Sequence, residues 1–120
     1  MKAKTTRPPE ETLAKIRARD KACVYCGKEM ISPWDPKNRK DSVTIEHLNH
    51  KNLDSVGSYI REGKPVSEIV AICCGECNSS RSDKSLLDWF ETDYCKNKNK
   101  GINYSTVTDV VRKYIDKYEK

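Results

Sequence analysis

IVAICCGECNSSRSDK, residues 69–84, decides how the rest of the chain is read. It opens as a short apolar run that suits a buried strand. It turns through Cys74-Gly75-Glu76-Cys77, a C-x-x-C knuckle that can offer two thiolates to one metal ion, and leaves through polar residues that can open a helix, Asn78 to Arg81. A matching pair, Cys23 and Cys26, lies upstream with 47 residues between the two knuckles. Zinc takes four soft ligands in a tetrahedron, and two knuckles supply them. The spacing therefore predicts a Cys23, Cys26, Cys74, Cys77 zinc site that fastens the ends of an inserted unit. Only Cys74, not Cys73, has the C-x-x-C spacing to Cys77, so Cys73 is expected as a buried thiol and Cys95 as unligated.

Working outward, Val43, Thr44 and Ile45 favour a strand over 42–48, and 66–73 reads as its partner. Two strands followed by a helix carrying Asn78 make a ββα unit. The connection 49–65 is polar, with a helical turn expected at Ser58 to Arg61. Residues 30–41 read as a loop, with Trp34, between two prolines, expected to pack on the first knuckle rather than stack on a base. Upstream, Pro8 and Pro9 followed by Glu10 and Glu11 mark a helix start, running to Asp20 on a thin stripe of Leu13 and Ile16. Downstream, Asp83 or Ser85 can cap a helix through Leu86, Trp89 and Phe90 towards Tyr94. Thr106 is expected to cap a last helix, with Asp109 three residues on. Val107, Val110, Val111, Tyr114, Ile115 and Tyr118 line one face of it. The fold class expected is α+β: a small core over about 20–90, an N-terminal helix, and a C-terminal helical extension over about 85–120.

A chain of 120 residues, 36% hydrophobic and 34% charged, suits one domain with a limited core that gains much from a metal staple. No apolar run approaches the ~18 residues of a membrane span, and MKAKTTRPPE lacks the apolar centre of a secretory leader. A cytoplasmic location is expected, where paired C-x-x-C motifs favour zinc over disulfides. Net charge is +5, and residues 1–40 hold eleven Lys and Arg against five Asp and Glu. That basic third suits a polyanion, or is simply a solvated surface.

Both histidines of the chain lie in Glu46-His47-Leu48-Asn49-His50. With CVYC before it, EIVAICCGEC after it and NSSR next, the chain resembles the HNH endonucleases over about residues 20–90. The resemblance implies a ββα-metal core and hydrolysis of DNA phosphodiesters. His47 would be the general base. Glu46 and Asn78 would be ligands of a catalytic Mg²⁺ or Mn²⁺, and Arg81 and Lys84 phosphate contacts. The family's middle Asn, which orients the loop bearing the base, falls near Glu68. Either Glu68 takes that role or Asn49 or Asn52 does. His50 is an accessory ligand or a surface residue.

The chemistry is coherent on its own terms. An imidazole titrates near neutrality and suits a base. A hard cation on one carboxylate and one amide oxygen keeps positions open for phosphate and water, whereas zinc on four thiolates has none. A non-catalytic zinc-dependent nucleic-acid-binding module is the alternative, and it has no use for Glu46-His47 with Asn78. A zinc-organised protein-interaction domain is a third reading. DNA is the expected partner, no membrane is involved, and a homodimer is compatible with double-strand cleavage.

Overall fold

The computed structural model describes residues 7–49, 55–97 and 101–120. In chain order the elements are α1 (Glu10–Arg19), a 3₁₀ turn (Pro36–Asp41), β1 (Val43–His47), α2 (Ser55–Arg61), a 3₁₀ turn (Val66–Glu68), β2 (Val70–Cys74), α3 (Gly75–Arg81), α4 (Leu86–Phe90), α5 (Asp93–Asn97) and α6 (Asp109–Tyr118). The class is α+β, and β1 and β2 form an antiparallel pair. No helix among the described residues is long and apolar enough to cross a membrane.

The strand expected over 66–73 is shorter and later. Pro65 precedes a 3₁₀ turn closed by Glu68 N–H to Pro65 O and Ile69 N–H to Val66 O, so the ladder starts only at Val70. In register, Val43 faces Cys74, Ile45 faces Ile72 and His47 faces Val70. Every residue of β2 is buried, which is why it reads as a continuous apolar run rather than an alternating one. Its outer edge is closed by side chains and loops. Asp20 accepts from Ile72 N–H (3.0 Å), Val24 N–H donates to Ile72 O (3.2 Å), and Arg19 donates to Val70 O (3.0 Å). Arg19 also grips Asp20 through two bonds of 2.7 and 2.8 Å. The C-terminal end of α1 thus covers an edge that would otherwise invite another strand, while Leu13 and Ile16 enter the core.

β2 runs straight into α3, whose first residue must be glycine. A Cβ at Gly75 would lie 1.9 Å from the Arg39 carbonyl oxygen of the 3₁₀ turn. The C-terminal helix expected to run to Tyr94 breaks in two, because the Thr92 hydroxyl donates to Trp89 O and ends α4. Ser85 is the cap, accepting from Asp88 N–H, and Glu119 accepts from Leu86 and Leu87 N–H, tying α6 to the start of α4. Thr106 is not the cap of α6. Its hydroxyl is spent in a local turn with Asn103, and Thr108 precedes the helix, its N–H bonded to Val24 O at the first knuckle. Val111, Tyr114 and Ile115 carry the expected stripe into the core.

Trp34 departs from expectation most plainly. It is 50% exposed rather than packed on the knuckle. The knuckle's apolar cover is Trp89, fully buried, whose ring meets Tyr25 edge-on at 4.8 Å.

Candidate functional site

The two knuckles meet as the spacing requires. The sulfurs of Cys23, Cys26, Cys74 and Cys77 lie within 4.8 Å of one another. A tetrahedron of ~2.3 Å metal–thiolate bonds has sulfur–sulfur edges of about 3.8 Å, and Cys26 and Cys74 stand 3.9 Å apart. The four can therefore hold a metal ion, with the chemistry and dimensions of a closed thiolate site. Cys26 N–H points at Cys23 Sγ and Cys77 N–H at Cys74 Sγ, each at 3.5 Å, which favours thiolate in both knuckles. Hydrogen bonds from Cys26, Cys74 and Cys77 push the Cys23 thiol far below its ordinary value. Tyr94 adds a contact at 3.3 Å to Cys77 Sγ. Cys73 and Cys95 lie outside the cluster, both buried, and burial pushes both thiols up, Cys95 to about 11.

Tyr25, between the ligands of the first knuckle, reaches Glu46. Its hydroxyl donates to Glu46 Oε2 at 2.6 Å. Burial, then the Glu46 charge, raises the Tyr25 phenol well above its usual range, so it remains a donor. From the second knuckle, α3 sends Arg81 inward. Arg81 is 2% exposed and Glu46 is 0% exposed, and they form an ion pair at 3.5 Å. The guanidinium also donates to Leu48 O (2.6 Å), Lys84 O (2.9 Å), Tyr25 Oη (3.3 Å) and His47 O (3.4 Å). The expected phosphate-contact role of Arg81 is therefore corrected: its donors are taken by groups inside the protein. Lys84 is exposed, with its ammonium 3.3 Å from Ser80 O.

Asn78 sits one helical turn before Arg81 and faces the same strand. Its amide nitrogen donates to Thr44 Oγ1 (3.0 Å) and Ile45 O (3.3 Å), leaving the amide oxygen as the group able to take a ligand. α3 thus meets β1 twice, through Asn78 at Thr44 and Ile45 and through Arg81 at Glu46. His47 is half-buried at the end of β1, and the alternation of a strand turns its side chain to the face opposite Glu46. Glu46 and Asn78 offer the hard oxygen donors that Mg²⁺ or Mn²⁺ takes. Glu46, however, is already engaged by Tyr25 and Arg81, and a cation there would replace the Arg81 contact, the longest that the guanidinium makes. Glu68 is not placed to orient a loop. Its carboxylate turns to α6 and pairs with Lys117 at 3.6 Å. Asn49 is half-buried next to Leu48; His50 and Asn52 lie outside the described residues.

Sequence reasoning missed Tyr25 as the partner of Glu46. The available signal was position: a residue inside a C-x-x-C turn is held as firmly as its ligands. Comparison of the chain with protein-family models, with curated proteins and with solved structures finds no match.

Proposed function

We propose that this chain is a zinc-stapled endonuclease of the HNH type that hydrolyses DNA phosphodiester bonds with the help of a divalent cation. The observation that supports the reading is the order along the chain: β1 ends in Glu46-His47, their side chains on opposite faces, and α3 carries Asn78 directly after the second knuckle. Zinc in the four-Cys cluster ties both elements at their roots, through Tyr25 on one side and Gly75 on the other. His47 takes the proton of the attacking water; its place as the last residue of β1 leaves the imidazole partly open to solvent. Glu46 and Asn78 would hold the cation, which would neutralise charge on the phosphate. The bonds of Arg81 to the Leu48, Lys84 and His47 carbonyls do not involve Glu46 and would hold the guanidinium in place with a cation bound.

A second reading rests on the same Glu46. A carboxylate with no exposed surface, bonded to Tyr25 and paired with Arg81, also suits a purely structural tie in a non-catalytic zinc module that binds nucleic acid. Incubating the zinc-loaded protein with supercoiled plasmid and Mg²⁺ or Mn²⁺ separates the two. Nicked or linear product that vanishes in the His47→Ala protein supports the nuclease. Salt-dependent binding without any cleavage supports the module.

A further inference from the structure

Trp34 forms a ridge between two open clefts. One, of about 400 Å³, runs over the outer face of the sheet, with Arg7, Arg17, Ile45 and Ile72 in its walls. The other, of about 500 Å³, is walled by Arg39, Lys40, Thr44, Glu76 and Asn78. Half of the Trp34 surface is in water. Among the described residues its indole N–H donates to nothing, and its ring meets no other aromatic ring and no cation. Arg17, Arg39 and Lys40 form no ion pair among the described residues, while Arg7 shares a contact of 3.1 Å with Glu10. The carboxylate facing the second cleft, Glu76, accepts from the Tyr94 hydroxyl at 3.2 Å. An exposed aromatic face flanked on both sides by cations is what a single strand of nucleic acid requires: a base stacks on the ring while phosphates before and after it meet the basic side chains.

We infer that Trp34 is a stacking platform for an unpaired base of single-stranded DNA, with Arg7 and Arg17 holding the backbone on one side and Arg39 and Lys40 on the other. The inference deepens the nucleic-acid reading above and rests on it, though not on its hydrolytic step. The second cleft includes Asn78, so a strand crossing Trp34 continues to the strand–helix interface. Substrates with unpaired bases, such as single strands, frayed ends and flaps, are therefore preferred over intact duplex.

The chain itself supplies the probe. It has two tryptophans, and Trp89 is fully buried, so the quenchable emission belongs to Trp34. Zinc-loaded protein with no added Mg²⁺ is titrated with a twelve-nucleotide oligothymidylate and with a duplex of equal length. The single strand is expected to quench the exposed emission and to bind more tightly than the duplex. Trp34→Ala is expected to weaken its binding by roughly 5- to 150-fold, the fold-change for ~1–3 kcal/mol of base–aromatic stacking. Trp34→Phe should recover most of that loss and Trp34→Leu should not. Arg17→Gln and Lys40→Gln should each lower the salt slope by roughly 0.7, the value for one single-strand phosphate. Melting temperature and zinc content, measured on every variant, show whether each is folded. Undiminished oligothymidylate binding by folded Trp34→Ala, or equal rescue by Phe and Leu, overturns the inference. Plasmid cleavage without oligothymidylate quenching also overturns it and leaves the nuclease standing. Quenching without cleavage upholds it and removes the nuclease.

Discussion

Arg81→Met tests the centre of the site. The wild-type guanidinium is buried and donates to five oxygens, one of them the Glu46 carboxylate. Methionine keeps most of the volume but removes the charge and every donor. Glu46 is then left as a buried carboxylate supported in this network by the Tyr25 hydroxyl at 2.6 Å, and Leu48 O loses its 2.6 Å partner. Breaking one side of a buried ion pair costs about 3–5 kcal/mol, against a whole-domain stability of roughly 5–15. Urea unfolding of the zinc-loaded protein should show a loss in that range, by a lower midpoint at unchanged slope. Adding Glu46→Gln removes the stranded charge, so the double variant should be more stable than the sum of the single losses predicts, by roughly 0.5–3 kcal/mol. A loss under about 1 kcal/mol for Arg81→Met, with no coupling to Glu46→Gln, would refute this. It would mean that Arg81 spends its time outside the protein, where a phosphate can reach it.

The other expectations are simpler. One zinc per chain is expected by elemental analysis, and because a structural zinc contributes about 10–16 kcal/mol at neutral pH, Cys74→Ala should unfold or aggregate. His47→Ala should lose roughly 10²–10⁴ in cleavage rate, as loss of a general base does, while keeping its zinc and its thermal midpoint. Gly75→Ala should be severely destabilised despite its small volume, since the new methyl would meet the Arg39 carbonyl at 1.9 Å; a midpoint equal to wild type would show that the 3₁₀ turn gives way freely. Cys95 has a thiol raised to about 11 from an ordinary 9.0 by burial. The unfolded chain releases that proton first, so stability falls as pH rises from about 9 to about 11, and Cys95→Ala should flatten the fall between 9 and 10 in unfolding curves.

The order of the main elements and the four-Cys cluster able to hold a metal were legible because both rest on local chemistry. A C-x-x-C spacing presents two thiolates whatever surrounds it, and an apolar run bounded by polar turns is a strand wherever it lands. The Ser85 cap and the stripe along α6 are of the same kind, set within a few residues of themselves. The misplaced cap at Thr106 shows the limit. Locally Asp109, three residues on, favours Thr106, yet the helix starts after Thr108, whose N–H bonds to Val24 O, far away in sequence.

What only the tertiary structure decided is where the charged and aromatic side chains go. Arg81 reads as a surface cation in NSSR, but apart from Lys84 O its acceptors come from 33 to 56 residues away, from Leu48 to Tyr25, and only folding brings them within reach. The same holds for Trp34, which loses its place over the knuckle to Trp89, and for Glu68, drawn to Lys117 of α6. The sequence by itself determined which four cysteines cluster and that a strand leads through the second knuckle into a helix. The partners of Glu46, and the outward face of Trp34, are properties of the assembled chain, because burial and charge pairing are settled by every neighbour at once.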